Sequence, residues 1–347
     1  MGAMISQHRR PDGTALPAAG AAAGAACAAL VAAVACSGGA ALPRAQPLLA
    51  VSDRGGALRI YEIDRQEGLA TLLGSERADD VAYRDTMPAR LPDGRVVFVS
   101  DRGGRPALHL AASGSMAASA VTLPEGSGAD SDPAPFGAGR LVFARSAAAG
   151  APRDLFVAGV DGSGLRALTR HPADDGAPCV LTDQRTIVFV SDRDGPKRLY
   201  RLDAGAADPE STLAPLLPDP GSGGDAGAAT RNGAGVADGA PACLADGSIV
   251  FSRAAGGRPA QIFAFDPGLP RAAPRQITDA TILPSGAGEP VGLDDGTLLM
   301  TAGPASGRGR GPRFGLYRIS RGGYNLSRVT KDGAGYDDLA RGLDPGR

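Results

Sequence analysis

Runs of four or five apolar residues recur along the chain, each followed by a short polar turn and then by a segment of alternating apolar and polar residues. In IVFVS (187–191) every position before the serine is apolar, which suits a strand covered on both faces. DRDG (192–195) follows; Asp favours turn entry and Gly tolerates positive φ, so this is a hairpin turn. RLYRLD (198–203) alternates, as a half-buried strand does. A short polar-to-apolar segment closes several copies: RALT (166–169), RQIT (275–278) and SRVT (327–330).

The unit repeats. It begins at Val51 (VSDRGGALRIYEID), Val97 (VFVSDRGGRPALHLA), Val142 (VFARSAAAGAPRDLFVAG), Val188 (VFVSDRDGPKRLYRLD) and Val250 (VFSRAAGGRPAQIFAFD), with a weaker sixth copy at Leu299 (LMTAGPASGRGRGPRFGLYRIS). Matching the first strand residues, Leu49 (with one residue of slip allowed), Val96, Leu141, Ile187, Ile249 and Leu298, gives steps of 47, 45, 46, 62 and 49 residues. Periods of about 40–50 residues are those of four-stranded propeller blades. Ahead of most copies lies a Pro-containing segment ending in a tight turn: MPARLPDGR (87–95), APCVLTDQR (177–185), APACLADGS (240–248) and EPVGLDDGT (289–297). Asp-Gly is a strong hairpin signal, and Pro is tolerated at a strand margin. These segments are expected to be the innermost strands.

The expected fold is all-β: a six-bladed β-propeller of four-stranded antiparallel blades over residues 48–347. The first copy lacks a preceding inner strand, whereas the C-terminus supplies one without a partner, YDDLARGLDPGR (336–347), in register with ADDGAPCVLTDQR (173–185). Joining it to the first blade closes the ring and removes an open sheet edge. The long step holds an insertion within 205–239, rich in Gly, Ala, Pro and Asp, and is expected to be a disordered loop.

Composition agrees. The chain of 347 residues is 43% hydrophobic and 21% charged, so it can bury a sizeable core; 51 Gly and 28 Pro demand many turns. A formal net charge of −1 argues against a nucleic-acid partner. The N-terminus carries His8, Arg9 and Arg10, then an Ala-rich apolar run from Leu16 to Cys36 and a small-residue exit, the pattern of a secretory signal peptide. Ala33-Val34-Ala35-Cys36 resembles the bacterial lipobox, which makes Cys36 the expected lipid attachment and mature N-terminus; the same residues also form an A-x-A site for ordinary cleavage. Residues 1–36 are then the signal and 37–47 a tether. Acyl chains on Cys36 would be the only membrane attachment, each buried CH₂ contributing about 0.8 kcal/mol.

Candidate chemistry is sparse. His8, His109 and His171 share no metal-ligand spacing. Neither G-x-S-x-G nor a Walker A sequence occurs, so no catalytic residue, cofactor or metal is assigned. Arg308, Arg310 and Arg313 fall in a Gly-rich stretch that is expected to be a solvated loop, with a small anionic site as the other reading. Asp53, Asp101 and Asp192, and the pairs Asp79-Asp80, Asp174-Asp175 and Asp337-Asp338, recur at fixed places in the repeat. That favours turn capping over a cation site, which needs six or more oxygens. Cys179 and Cys243 lie on consecutive inner strands; alignment of the copies sets them two positions apart. A disulfide is conceivable, but the separation of strands in different blades favours two buried free thiols.

The SDR-G-G, LY-x-x-D, LT and DDG-x-P pattern resembles the WD-like propeller repeats of the TolB-like family, over about residues 48–347. The third, fifth and sixth copies depart from it, with ARSAAAG, SRAAGG and TAGPASG in place of SDR. The resemblance implies a TolB-like protein without the family's additional N-terminal domain. It also implies a periplasmic or cell-surface location and a monomeric, non-catalytic scaffold that binds an envelope protein or peptide. Related repeats occur in peptidase propeller domains and sugar-degrading lyases, so an envelope polysaccharide-binding or polysaccharide-degrading propeller is the alternative, and a purely structural envelope component a third. Aromatic content of 4% and the absence of Trp weigh against sugar stacking.

Overall fold

The computed structural model describes residues 45–65, 70–74, 83–124, 128–217, 235–269, 273–303 and 314–330, and the backbone of 338–339. The signal, Cys36, most of the tether, Asp79-Asp80, Asp337 and Arg308, Arg310 and Arg313 lie outside the described residues.

Strands β1 (Leu48–Ser52), β2 (Arg59–Ile63) and β3 (Ala70–Leu73) begin blade 1. Blade 2 is β4 (Asp85–Arg90), β5 (Val96–Ser100), β6 (Ala107–Ala111) and β7 (Ala118–Ala120). Blade 3 is β8 (Asp130–Pro135), β9 (Arg140–Ser146), β10 (Arg153–Gly159) and β11 (Arg166–Ala167). Blade 4 is β12 (Asp175–Val180), β13 (Thr186–Ser191), β14 (Arg198–Asp203) and β15 (Ala214–Pro215). Blade 5 is β16 (Val236–Cys243), β17 (Ile249–Ala255), β18 (Gln261–Phe265) and β19 (Arg275–Gln276). Blade 6 is β20 (Ala287–Gly292), β21 (Thr297–Ala302), β22 (Gly315–Ser320) and β23 (Ser327–Arg328), and β24 (Asp338–Leu339) completes blade 1.

Six four-stranded antiparallel sheets result, and the first has the order β24-β1-β2-β3. The expected closure is present: Val51 pairs with Leu339 and Ser52 with Asp338. The latter pair matches Ser191 with Asp175 in blade 4. This register makes Leu48 the counterpart of Val96 and Ile187, which resolves the one-residue slip in the first copy. Two elements were not anticipated. Inner strand β8 carries no Asp-Gly turn; its hairpin closes through Phe136 N–H to Arg140 O. Outer strand β15, preceded by a 3-10 turn at Glu210–Thr212, occupies the first part of the insertion.

The core follows from the pleat. On β13, Ile187 and Phe189 pack with Val142 and Leu155 of blade 3, whereas Val188 pairs its face with Ile249 and Phe251 of blade 5. Adjacent residues thus face opposite neighbours, which is why these strands are apolar at every position. The same interleaving gives six apolar clusters, one at each seam. The sixth brings Leu48 and Ala50 of β1 against Leu299 and Leu316 of blade 6, so packing closes the ring independently of β24. The recurring LT segment has a role here. Thr169, Thr278 and Thr330 Oγ1 accept hydrogen bonds from the N–H groups of Leu155, Ile262 and Leu316 at 2.9, 2.9 and 3.1 Å.

Cys179 and Cys243 are joined in a disulfide with Cα atoms 5.5 Å apart, not two free thiols. The reason lies in the register. Cys179 stands opposite Val188 and Cys243 opposite Ile249. Since Val188 corresponds to Val250, which faces Ala242, the cysteines are one position apart rather than two. They therefore point to opposite pleat faces, Cys179 forward and Cys243 backward, which turns both sulfurs into the same seam. Inner strands converge towards the axis, and their spacing falls within the Cα range that a disulfide requires.

Candidate functional site: the ring of inner-strand bulges

Blades 2 to 5 each contain one ion-pair cassette near the start of the inner strand. In blade 4, Asp175 is fully buried and Arg193 Nη2 donates to both its oxygens at 3.0 and 2.9 Å. The arginine folds back so that its Nε also donates to Ser191 Oγ at 3.0 Å, and it lies over the Phe189 and Tyr200 rings. Blade 2 repeats this with Asp85, Arg102 and Ser100, and Arg102 adds a bond to Gly74 O in blade 1. The motif Asp does something else: Asp101 Oδ1 accepts from Arg84 N–H at 2.6 Å and Asp192 Oδ1 from Asp174 N–H at 2.9 Å. These side-chain-to-backbone bonds tie the turn to the entry of the inner strand.

The blades without SDR keep the charge pair. Arg145 stands directly opposite Asp130 and donates from Nε at 2.6 Å; Arg253 does the same for Asp238. The cation comes from the strand position that holds serine in the SDR copies. Blade 6 replaces the pair with Ala287 opposite Ala302. His109 fills the aromatic slot of blade 2, its ring centroid 5.8 Å from Phe98, as Phe156, Tyr200 and Phe263 do opposite Phe143, Phe189 and Phe251. Burial holds its pKa below the ordinary value. His171 accepts from Ala173 N–H within its own turn. These are structural duties, and among the described residues no group of three or more His, Cys, Asp or Glu could hold a metal ion.

The feature that structure alone brings together is backbone strain at the axis. Met87, Asp132, Ala177, Ala240 and Glu289 have φ of 54, 52, 48, 40 and 52°. Each precedes a proline, and each sits in the bulge that interrupts pairing of the inner strand in blades 2 to 6. Left-handed geometry costs a residue with a side chain about 1–2 kcal/mol, and such strain concentrates at functional places. Proline explains part of the choice, because it bars the right-handed helical region to the residue before it.

Neighbouring bulges touch. Asp132 N–H donates to Met87 Sδ at 3.2 Å, and Ala177 N–H donates to Asp132 Oδ2 at 3.2 Å. Arg153 clamps the third and fourth blades by donating to Asp132 Oδ2 and to both oxygens of Asp174, each at 2.8 Å. Burial opposes its charge, but the two carboxylates prevail and hold its pKa above the ordinary value. Asp132 is 2% exposed, and its Oδ1 makes no hydrogen bond. Glu289, on the sixth blade, accepts from Thr301 Oγ1. The x-Pro dipeptides were visible in the sequence; that their first residues form one ring was not.

The six sheets and the β24 closure define a six-bladed β-propeller, a fold shared with solved TolB structures. Its resemblances are to solved structures at low identity. TolB from Acinetobacter baumannii is 16% identical with a TM-score of 0.59, covering 83% of this chain and 64% of that one. A putative TolB from Agrobacterium tumefaciens is 13% identical with a TM-score of 0.56, covering 82% and 89%. A puromycin-hydrolysing peptidase of Mycobacterium tuberculosis is 18% identical with a TM-score of 0.53, and the chain spans 41% of its length. No family model and no curated protein matches the sequence.

Proposed function

We propose that the protein is a non-catalytic cell-envelope scaffold that binds a protein or peptide segment at the central opening of the propeller. The observation that carries this reading is the bulge ring. Five inner strands keep one strained backbone and one proline, while the residue placed there varies among Met, Asp, Ala and Glu. Where repeats hold a backbone fixed and vary its side chain, that side chain is not serving the repeat. The likeness to TolB supports a binding role for the fold.

The disulfide supports an exported location, since such bonds form and persist in oxidising compartments. In this reading residues 1–36 are removed, Cys36 carries the lipid, 37–47 form the tether, and the propeller acts as a monomer at the outer membrane. A photo-crosslinking residue at Met87, a half-buried member of the ring, is expected to capture one envelope protein stoichiometrically. Turnover of a peptide or polysaccharide by the purified protein, or no capture at Met87, would overturn the proposal. Cys36→Ser is expected to move the protein from the membrane to the soluble fraction.

A further inference from the structure

We propose that the Cys179–Cys243 bond, rather than the polypeptide running from β15 to β16, is the covalent joint between the fourth and fifth blades. Two independent observations lead here. The first is chain length between blades. Twenty residues (216–235) separate β15 from β16, against 11 between β3 and β4, 9 between β7 and β8, 7 between β11 and β12, and 10 between β19 and β20. A longer connection restrains its two ends less. The second is placement. The one disulfide among the described residues falls at this same seam, on the two inner strands, with Cys179 buried among Val188, Val190, Ile249 and Phe251.

The bond therefore supplies, at the axis, the restraint that the outer connection gives up. The 64-residue separation between the cysteines contains the rest of blade 4 and the whole long connection. Cutting that connection leaves the fourth and fifth blades covalently tied. Cutting it and reducing the bond leaves blades 1–4 and blades 5–6 as two chains, held without a covalent link by the apolar clusters at two seams, by β24 on β1, by Arg198 and Lys197 O on Asp238, and by Arg65 on Asp294 and Asp295. Reduction is ordinary thiol–disulfide exchange: a dithiol reductant gives two electrons and two protons to the S–S bond, yields two cysteine thiols, and becomes a cyclic disulfide.

The test inserts a site-specific protease sequence between Gly223 and Gly224. The cut, oxidised protein is expected to keep its β-sheet circular dichroism and to melt within about 5 °C of the uncut protein, independently of concentration. The cut, reduced protein is expected to melt lower, at a temperature that rises with protein concentration, because two chains must now associate. The uncut Cys179→Ala/Cys243→Ala variant, still one chain, should melt independently of concentration. A cut, reduced protein that melts as the uncut, reduced one does at every concentration would overturn the proposal. So would loss of the propeller on cutting under oxidising conditions.

Discussion

Blades 2 and 4 carry the SDR turn, and blades 3 and 5 do not, yet all four bury an aspartate against an arginine at the same level of the ring. In blades 2 and 4 the cation arrives from the turn, two residues beyond the strand position opposite the aspartate. In blades 3 and 5 it stands in that strand position itself. The repeat therefore preserves a charge complement and an aromatic surface for the guanidinium, not a string of letters. Arg145 lies over Phe143 and Phe156, and Arg253 over Phe251 and Phe263, as Arg193 lies over Phe189 and Tyr200. A buried carboxylate without its partner is costly, which is why neither solution can lose its arginine.

The sharpest way to break this equivalence is to remove a carboxylate. Asp175→Ala leaves Arg193 in a seam with no counter-charge and is expected to cost about 3 kcal/mol, read as a lower urea midpoint with an unchanged slope. Asp130→Ala should fall in the same range if the two arrangements are equivalent; a negligible effect would separate them. Next in size is a transplant. Arg145→Ala is expected to cost about 2 kcal/mol, and the triple change Arg145→Ser, Ser146→Asp, Ala147→Arg, which writes SDR into blade 3, should restore most of it.

A smaller effect concerns the residue one strand further out. Asp154 in blade 3 and Gln261 in blade 5 occupy the same register and both accept from the LT threonine, at 3.2 and 2.7 Å. Burial first, then the Asp175 and Glu210 charges, pushes Asp154 up to about 6. A carboxyl raised on folding is more easily protonated in the native state. Its favourable contribution is complete below the unfolded value of 3.8 and is lost as pH rises through about 6. Asp154→Asn, which copies the neutral amide of blade 5, should stabilise the protein by about 1 kcal/mol at pH 7.5 after solvent screening. The gain should shrink as pH falls below about 6 and vanish only below 3.8; a gain that is flat with pH would deny the titration. Smallest is Ala240→Gly at the bulge ring. Relief of left-handed strain against the entropy lost by glycine leaves about 0.5 kcal/mol of stabilisation.

Much of the architecture was legible because it repeats. Apolar runs without alternation announce strands covered on both sides, and six of them at blade spacing leave few other folds. Even the closure could be read, since YDDLA matches ADDGA at the aspartate that pairs with serine. Inner strand β8 escaped because its turn lacks Asp-Gly, and β15 because a two-residue outer strand has no periodicity to show.

The chain by itself determined the module, its number and the order of its strands, because local alternation and turn chemistry act over a few residues. Tertiary structure decided whatever depends on which blade a residue faces. A one-residue offset put Cys179 and Cys243 on facing surfaces, the convergence of inner strands brought them within bonding distance, and the ring gathered five separate x-Pro dipeptides around one axis. Such relations join residues far apart in sequence, and they exist only once the sheets are packed in a circle.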